Sequence, residues 1–151
     1  MTDATTGLAA PPVVSTAPQG PRASLWALRV AAVIHALVIF AQPVLAGVYL
    51  AGDVGAIGNH EVNAHTVTSA AALQFIAALI YGWRGRGRLW PLWLSLALPG
   101  LEEAQKILGY AGVLDAHIPL GVTLVVVQIL FTIWVFGPTS RLARVRRKRR
   151  T

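Results

Sequence analysis

Four histidines and a short run of carboxylates are the groups in this chain with chemistry to offer. His65 and His117 each follow an alanine and each comes after a stretch without Lys or Arg. Two neutral imidazoles held at one depth on facing helices can bind a haem iron from both sides, with ligand identity and burial tuning its potential. Ser69, Ala70, Ala71 and Ala72 follow His65 by about a turn and Gly121 follows His117 at i+4, so small residues would leave room for a flat macrocycle. The plainer alternative has both rings at headgroup level, bonded to water and loop carbonyls. His60, Glu61 and His65 also suit a zinc or copper cluster, with His60 and Glu61 expected just before a helix. His35 lies inside a long apolar run. It is a further haem ligand, a proton-relay group or a buried histidine bonded to a neighbour.

Glu61, Glu102 and Glu103 are the candidate catalytic carboxylates. Glu102 and Glu103 fall just past Pro99-Gly100, and Lys106 stands at i+4 from the first and i+3 from the second. Such spacings favour an ion pair on a helix face. One reading therefore pairs one Glu with Lys106 and sends the other to the interface. In the other, one carboxylate handles protons or substrate. Gln42 and Gln105 read as interhelical hydrogen-bond partners.

These residues need elements to position them, and composition says which. Of 151 residues, 55% are hydrophobic and 13% charged, and the mean hydropathy is +0.59. Soluble domains carry about 25% charged residues. There is no Cys, which excludes disulfides, thiolate metal sites and thiol nucleophiles. Apolar segments run over about 25–50, 64–83, 89–111 and 118–136. A helix needs roughly 20 residues to cross the hydrocarbon core, and lipid offers backbone amides no partners, so each segment should be helical. The expected fold is all-α and integral to a membrane: an up-down four-helix transmembrane bundle over 24–138. A disordered cytoplasmic tail is expected at 1–23, where Pro11, Pro12, Pro18 and Pro21 fall, and a basic cytoplasmic tail at 139–151.

Basic residues near helix ends favour the cytoplasm. Arg22 and Arg29, then Arg84, Arg86 and Arg88, then the Arg-rich stretch from Arg141 to Arg150 fall on one side. Asp53, Glu61 and Asp115 fall on the other. The expected location is a bacterial plasma (inner) membrane with both termini cytoplasmic. The net charge of +7 then reflects topology, with no nucleic-acid partner. The bilayer, anionic lipids at the basic C-terminus, and a homodimer or respiratory-complex partner are the expected associations.

Ala41-Gln42-Pro43-Val44-Leu45-Ala46-Gly47 is echoed by Ala104-Gln105-Lys106-Ile107-Leu108-Gly109, and each is followed by a loop ending in Ala-His. This suggests two similar helical hairpins. The second copy, with Ala116-His117-Ile118-Pro119-Leu120-Gly121, resembles the third and fourth helices of one half of haem A synthase. Residues 30–136 are similar to one such half, and to small four-helix membrane proteins of actinobacteria. The resemblance implies haem ligation on the outer side by His65 and His117, with Glu61 matching the family's proposed catalytic Glu. Departures are four helices in place of eight, Glu61 four residues before His65 in place of three, Thr66 where the family has Arg, and no Cys pair. The leading expectation is a small b-type haem protein that carries electrons or handles haem, ligated by His65 and His117. A cofactor-free accessory or scaffold subunit, and a small proton-coupled carrier using His35, Glu102 and Glu103, are the alternatives.

Overall fold

The computed structural model describes residues 22–142 and 144. The expected tail up to residue 21 and most of the basic tail lie outside the described residues. The described chain folds as α1 (Arg22–Leu50), α2 (Ala56–Trp83), α3 (Trp90–Tyr110) and α4 (Leu114–Phe136), followed by a 3₁₀ turn at Pro138–Arg141. It contains no strand among the described residues. α1, α2 and α4 are each long and apolar enough to cross a membrane. α3 carries Glu102, Glu103 and Lys106 within its 21 residues.

Consecutive helices are joined by short turns at residues 51–55, 84–89 and 111–113, so they run antiparallel. α1 packs on α2 and α4, and α3 packs on the same two. The helices thus form a square, with α1/α3 and α2/α4 on the diagonals. The turns after α1 and α3 are built alike. Gly52 (φ 109°) and Gly112 (φ 71°) adopt left-handed backbone, and the next amides, of Asp53 and Val113, reach back to Val48 O and Leu108 O. This is the Schellman closure that an L side chain would strain.

α2 starts eight residues before the expected boundary. His60, Glu61 and Asn63 read as loop by polarity, but His60 and Asn63 bond to the neighbouring helix. His60 Nδ1 lies 3.1 Å from Gln42 O, and Asn63 Nδ2 donates to Val38 O at 2.8 Å, close to Pro43, which interrupts the backbone ladder of α1. His65 therefore sits in the third turn of α2 and does not open it.

The interior is lined by small residues. Ala31 and Ala32 of α1 pack with Ala77 and Ala78 of α2 around Leu28, Tyr81, Phe131 and Val135. Large apolar side chains such as Leu37, Phe40, Leu130 and Ile133 point outward, each more than half exposed. Small residues inside and bulk outside is the pattern of helices packed in lipid, where close backbone approach replaces the hydrophobic effect. Beyond the expected boundary at residue 138, Ser140 is fully buried. Its Oγ donates to Val135 O, and its carbonyl accepts from Tyr81 Oη at 2.8 Å, which ties the 3₁₀ turn to the bundle.

Candidate functional site

Each helix places one buried polar side chain well away from its ends. His35 is the fourteenth residue of 29 in α1, Gln74 the nineteenth of 28 in α2, Glu102 the thirteenth of 21 in α3, and Gln128 the fifteenth of 23 in α4. His35, Gln74 and Gln128 have no exposure and Glu102 has 4%. They bridge both diagonals. His35 Nε2 meets Glu102 Oε1 at 2.8 Å, linking α1 to α3. Gln74 and Gln128 link α2 to α4 through a reciprocal amide pair of 2.7 and 3.2 Å.

The hydrogen-bond directions follow from one fixed acceptor. Ala32 O can only accept, and it takes Gln128 Nε2 at 3.0 Å. That nitrogen also donates to Gln74 Oε1 at 2.7 Å, so the Gln74 oxygen faces His35 Nδ1, 3.2 Å away. Nδ1 must then carry the hydrogen, because an imidazole nitrogen facing an acceptor is a donor. Only the Nε2–Glu102 contact is left to vary. It holds one proton, either on the ring as an imidazolium–carboxylate pair or on the carboxyl as a neutral pair. Both states fit the same heavy atoms. Glu102 Oε2 is buried with no partner among the described residues, so the carboxyl keeps spare capacity to hold that proton or accept another donor. Ser95 Oγ, 3.4 Å from Gln74 Nε2, adds a weak sixth contact.

His35 is thus the buried histidine bonded to neighbours that was one of its three expected roles, and both ring nitrogens are taken. Lys106 pairs with Glu103, at 2.6 Å, and not with Glu102. Glu102 does not reach the interface as expected. Its position on α3 turns it into the bundle, where His35 compensates its desolvation.

A second cluster lies at the end of the bundle that carries the α1–α2 and α3–α4 turns. His117 Nδ1 lies 2.8 Å from Gln105 O, and His117 Nε2 lies 3.4 Å from Gln105 Nε2, so Gln105 does join α3 to α4. Glycines make this possible. A Cβ on Gly109 would come within 2.9 Å of the His117 ring, and one on Gly121 within 2.6 Å of Gln105 Nε2. The space beside Gly121, expected to admit a macrocycle, holds the Gln105 carboxamide. The imidazole near His117 belongs to His60, with ring centroids 6.3 Å apart and planes at 59°. His65 is exposed and its ring makes no hydrogen bond among the described residues. It lies on the face of α2 near Glu103. No hydrogen bond joins His65 to His117 among the described residues, and the ring contact of His117 is with His60. His60 is the fifth residue of α2, as His117 is the fourth of α4. Glu61 accepts from Tyr110 Oη at 2.9 Å on the exposed surface. No group of three or more His, Asp or Glu among the described residues is placed to hold a metal ion.

Gln74, Gln128 and Ser95 were missed in the sequence. The available signal was depth: each helix carries an amide, imidazole or carboxyl well away from either end. No protein-family model, curated protein or solved structure matches the chain.

Proposed function

We propose that the chain is a small proton-handling membrane protein, read as a proton-coupled carrier, in which His35 and Glu102 exchange one proton in the bundle core. The observation that carries this reading is the 2.8 Å contact between a fully buried imidazole and a buried carboxyl with a spare oxygen. Ionisable groups at this depth are costly and mark proton and substrate paths. Gln74, oriented by Gln128 and Ala32, acts as the positioning residue that keeps Nδ1 protonated and directs exchange to Nε2.

The reading includes α3 as the fourth span. Its charges are compensated in place, with Glu102 on His35 and Glu103 on Lys106. It also includes a bacterial plasma membrane with both termini cytoplasmic, supported by the basic residues at the terminal end and Asp53, Glu61 and Asp115 at the other. A pH jump applied to proteoliposomes on a solid support tests it without a known substrate. A proton entering a site part-way across the bilayer moves charge and gives a transient current. The expected result is a current in the wild type that Glu102→Gln abolishes and Glu103→Gln leaves in place. Equal currents in wild type and Glu102→Gln would contradict the reading.

Haem or metal binding near the turn end is a second reading, favoured by the closeness of the His60 and His117 rings. It replaces His65 with His60. An optical spectrum of purified protein with a Soret band that His117→Ala removes, and His65→Ala does not, would support it.

A further inference from the structure

At the terminal end, a shallow groove opens between α1 and α4. Trp26, Arg29, Val30, Val33, Ile34 and Phe136 line about 190 Å³. Most of this lining is what lipid-facing helices present to acyl chains. Arg29 is the exception. It is only 6% exposed, and its guanidinium lies 5.0 Å from the ring centroids of both Trp26 and Phe136. Nε donates to Val135 O at 2.9 Å. Nη2 is buried with no partner among the described residues.

A buried cation with an idle donor is costly unless an anion completes it. The bundle has none nearby. The described carboxylates are Asp53, Glu61, Glu102, Glu103 and Asp115, all at mid-bundle or at the opposite end. The neighbouring charge is another cation, since Arg141 on the 3₁₀ turn is near enough to act on Arg29. None of the described residues supplies that anion, and a molecule from outside the bundle that also fits an aliphatic groove open to the bilayer would.

We propose that this groove is a binding site for one anionic phospholipid. Its phosphate is held by the Arg29 guanidinium and the field of Arg141, and an acyl chain lies along Val30, Val33 and Ile34. Guanidinium groups bind phosphate through paired N–H donors, and basic pockets between helices on the cytoplasmic side suit anionic headgroups. Trp26 and Phe136, each with its ring centroid 5.0 Å from the guanidinium, favour the cation, and the headgroup would supply the partner that Nη2 lacks.

Native mass spectrometry of the full chain in detergent, offered equal phosphatidylglycerol and phosphatidylcholine, tests this. The expected result is selective retention of one phosphatidylglycerol, reduced roughly five-fold in Arg29→Gln, a loss of about 1 kcal/mol. Val33→Trp fills the groove and spares the cation, and is expected to lose the lipid equally. Ile118→Trp, on the lipid-facing surface at the other end, is expected to keep it. If Arg29→Gln fails to fold, Val33→Trp decides alone. Equal retention of the two lipids by the wild type, or unchanged retention in the folded Val33→Trp variant, would overturn the proposal.

Discussion

At the scale of single residues, the core is a line of dependencies that begins at a backbone carbonyl. Ala32 O orients Gln128, Gln128 orients Gln74, and Gln74 leaves His35 one free nitrogen for Glu102. Gln128→Leu removes the second step and leaves the buried Gln74 Nε2 with only its weak 3.4 Å contact to Ser95 Oγ. The expected cost is about 1–3 kcal/mol, read as a lower unfolding midpoint in detergent. Glu102→Ala and His35→Ala each strand a buried partner, so the double variant is expected to be less destabilised than the sum of the two. Coupling of about 0.5–3 kcal/mol in that cycle is the measure. His35 was legible in the sequence as a polar residue deep in an apolar run, and Glu102 as a carboxyl within an apolar segment. The two glutamines were not, because an uncharged amide among aliphatic residues looks like ordinary interhelical glue. Nor was the choice of Glu103 over Glu102 by Lys106, since both spacings suit a helix and only the direction of the core separates them.

At the scale of elements, four helices with short turns could be read from hydropathy alone, but not where α2 begins. Its first two turns are polar, and hydropathy assigns polar residues to loops. Nothing in the sequence shows that His60 and Asn63 bond to α1. The α3–α4 contact rests on two glycines with different tolerances. At Gly109 a methyl group would press on the His117 ring, which is itself tied to Gln105 O at 2.8 Å. At Gly121 it would meet only the mobile end of the Gln105 side chain. Gly109→Ala is therefore expected to cost about 1–3 kcal/mol, and Gly121→Ala less. Gly47→Ala has open space around its Cβ and is expected to be neutral or stabilising by up to about 1 kcal/mol. Thermal midpoints of the three variants check the order.

At the scale of the whole molecule, apolar bulk faces outward and polar groups face inward, the reverse of a soluble bundle. The low share of charged residues and the mean hydropathy of +0.59 point the same way. The arrangement of charge gives a direct test of topology, helped by the lack of any native Cys. Single cysteines at Asp53→Cys and Val113→Cys are expected to react with an impermeant maleimide on intact cells, and Arg86→Cys only after the membrane is opened. If Arg86→Cys and Asp53→Cys were labelled from the same side, α2 would not span. The terminal end, with Arg29, Arg84, Arg86, Arg88 and Arg141, is where lipid headgroups would gather. The opposite end carries the His60 and His117 cluster. The His35–Glu102 pair lies between them.

That pair is tested most directly by infrared difference spectroscopy of the reconstituted protein titrated between about pH 5 and 9. The expected result is a buried carboxyl band that appears or disappears as the pair takes up or releases one proton, is absent in Glu102→Gln, and is shifted in Gln74→Leu through the loss of its hold on His35. A spectrum with no titrating carboxyl band over that range, or one identical in Glu102→Gln, would mean that the His35–Glu102 contact only fastens helices together.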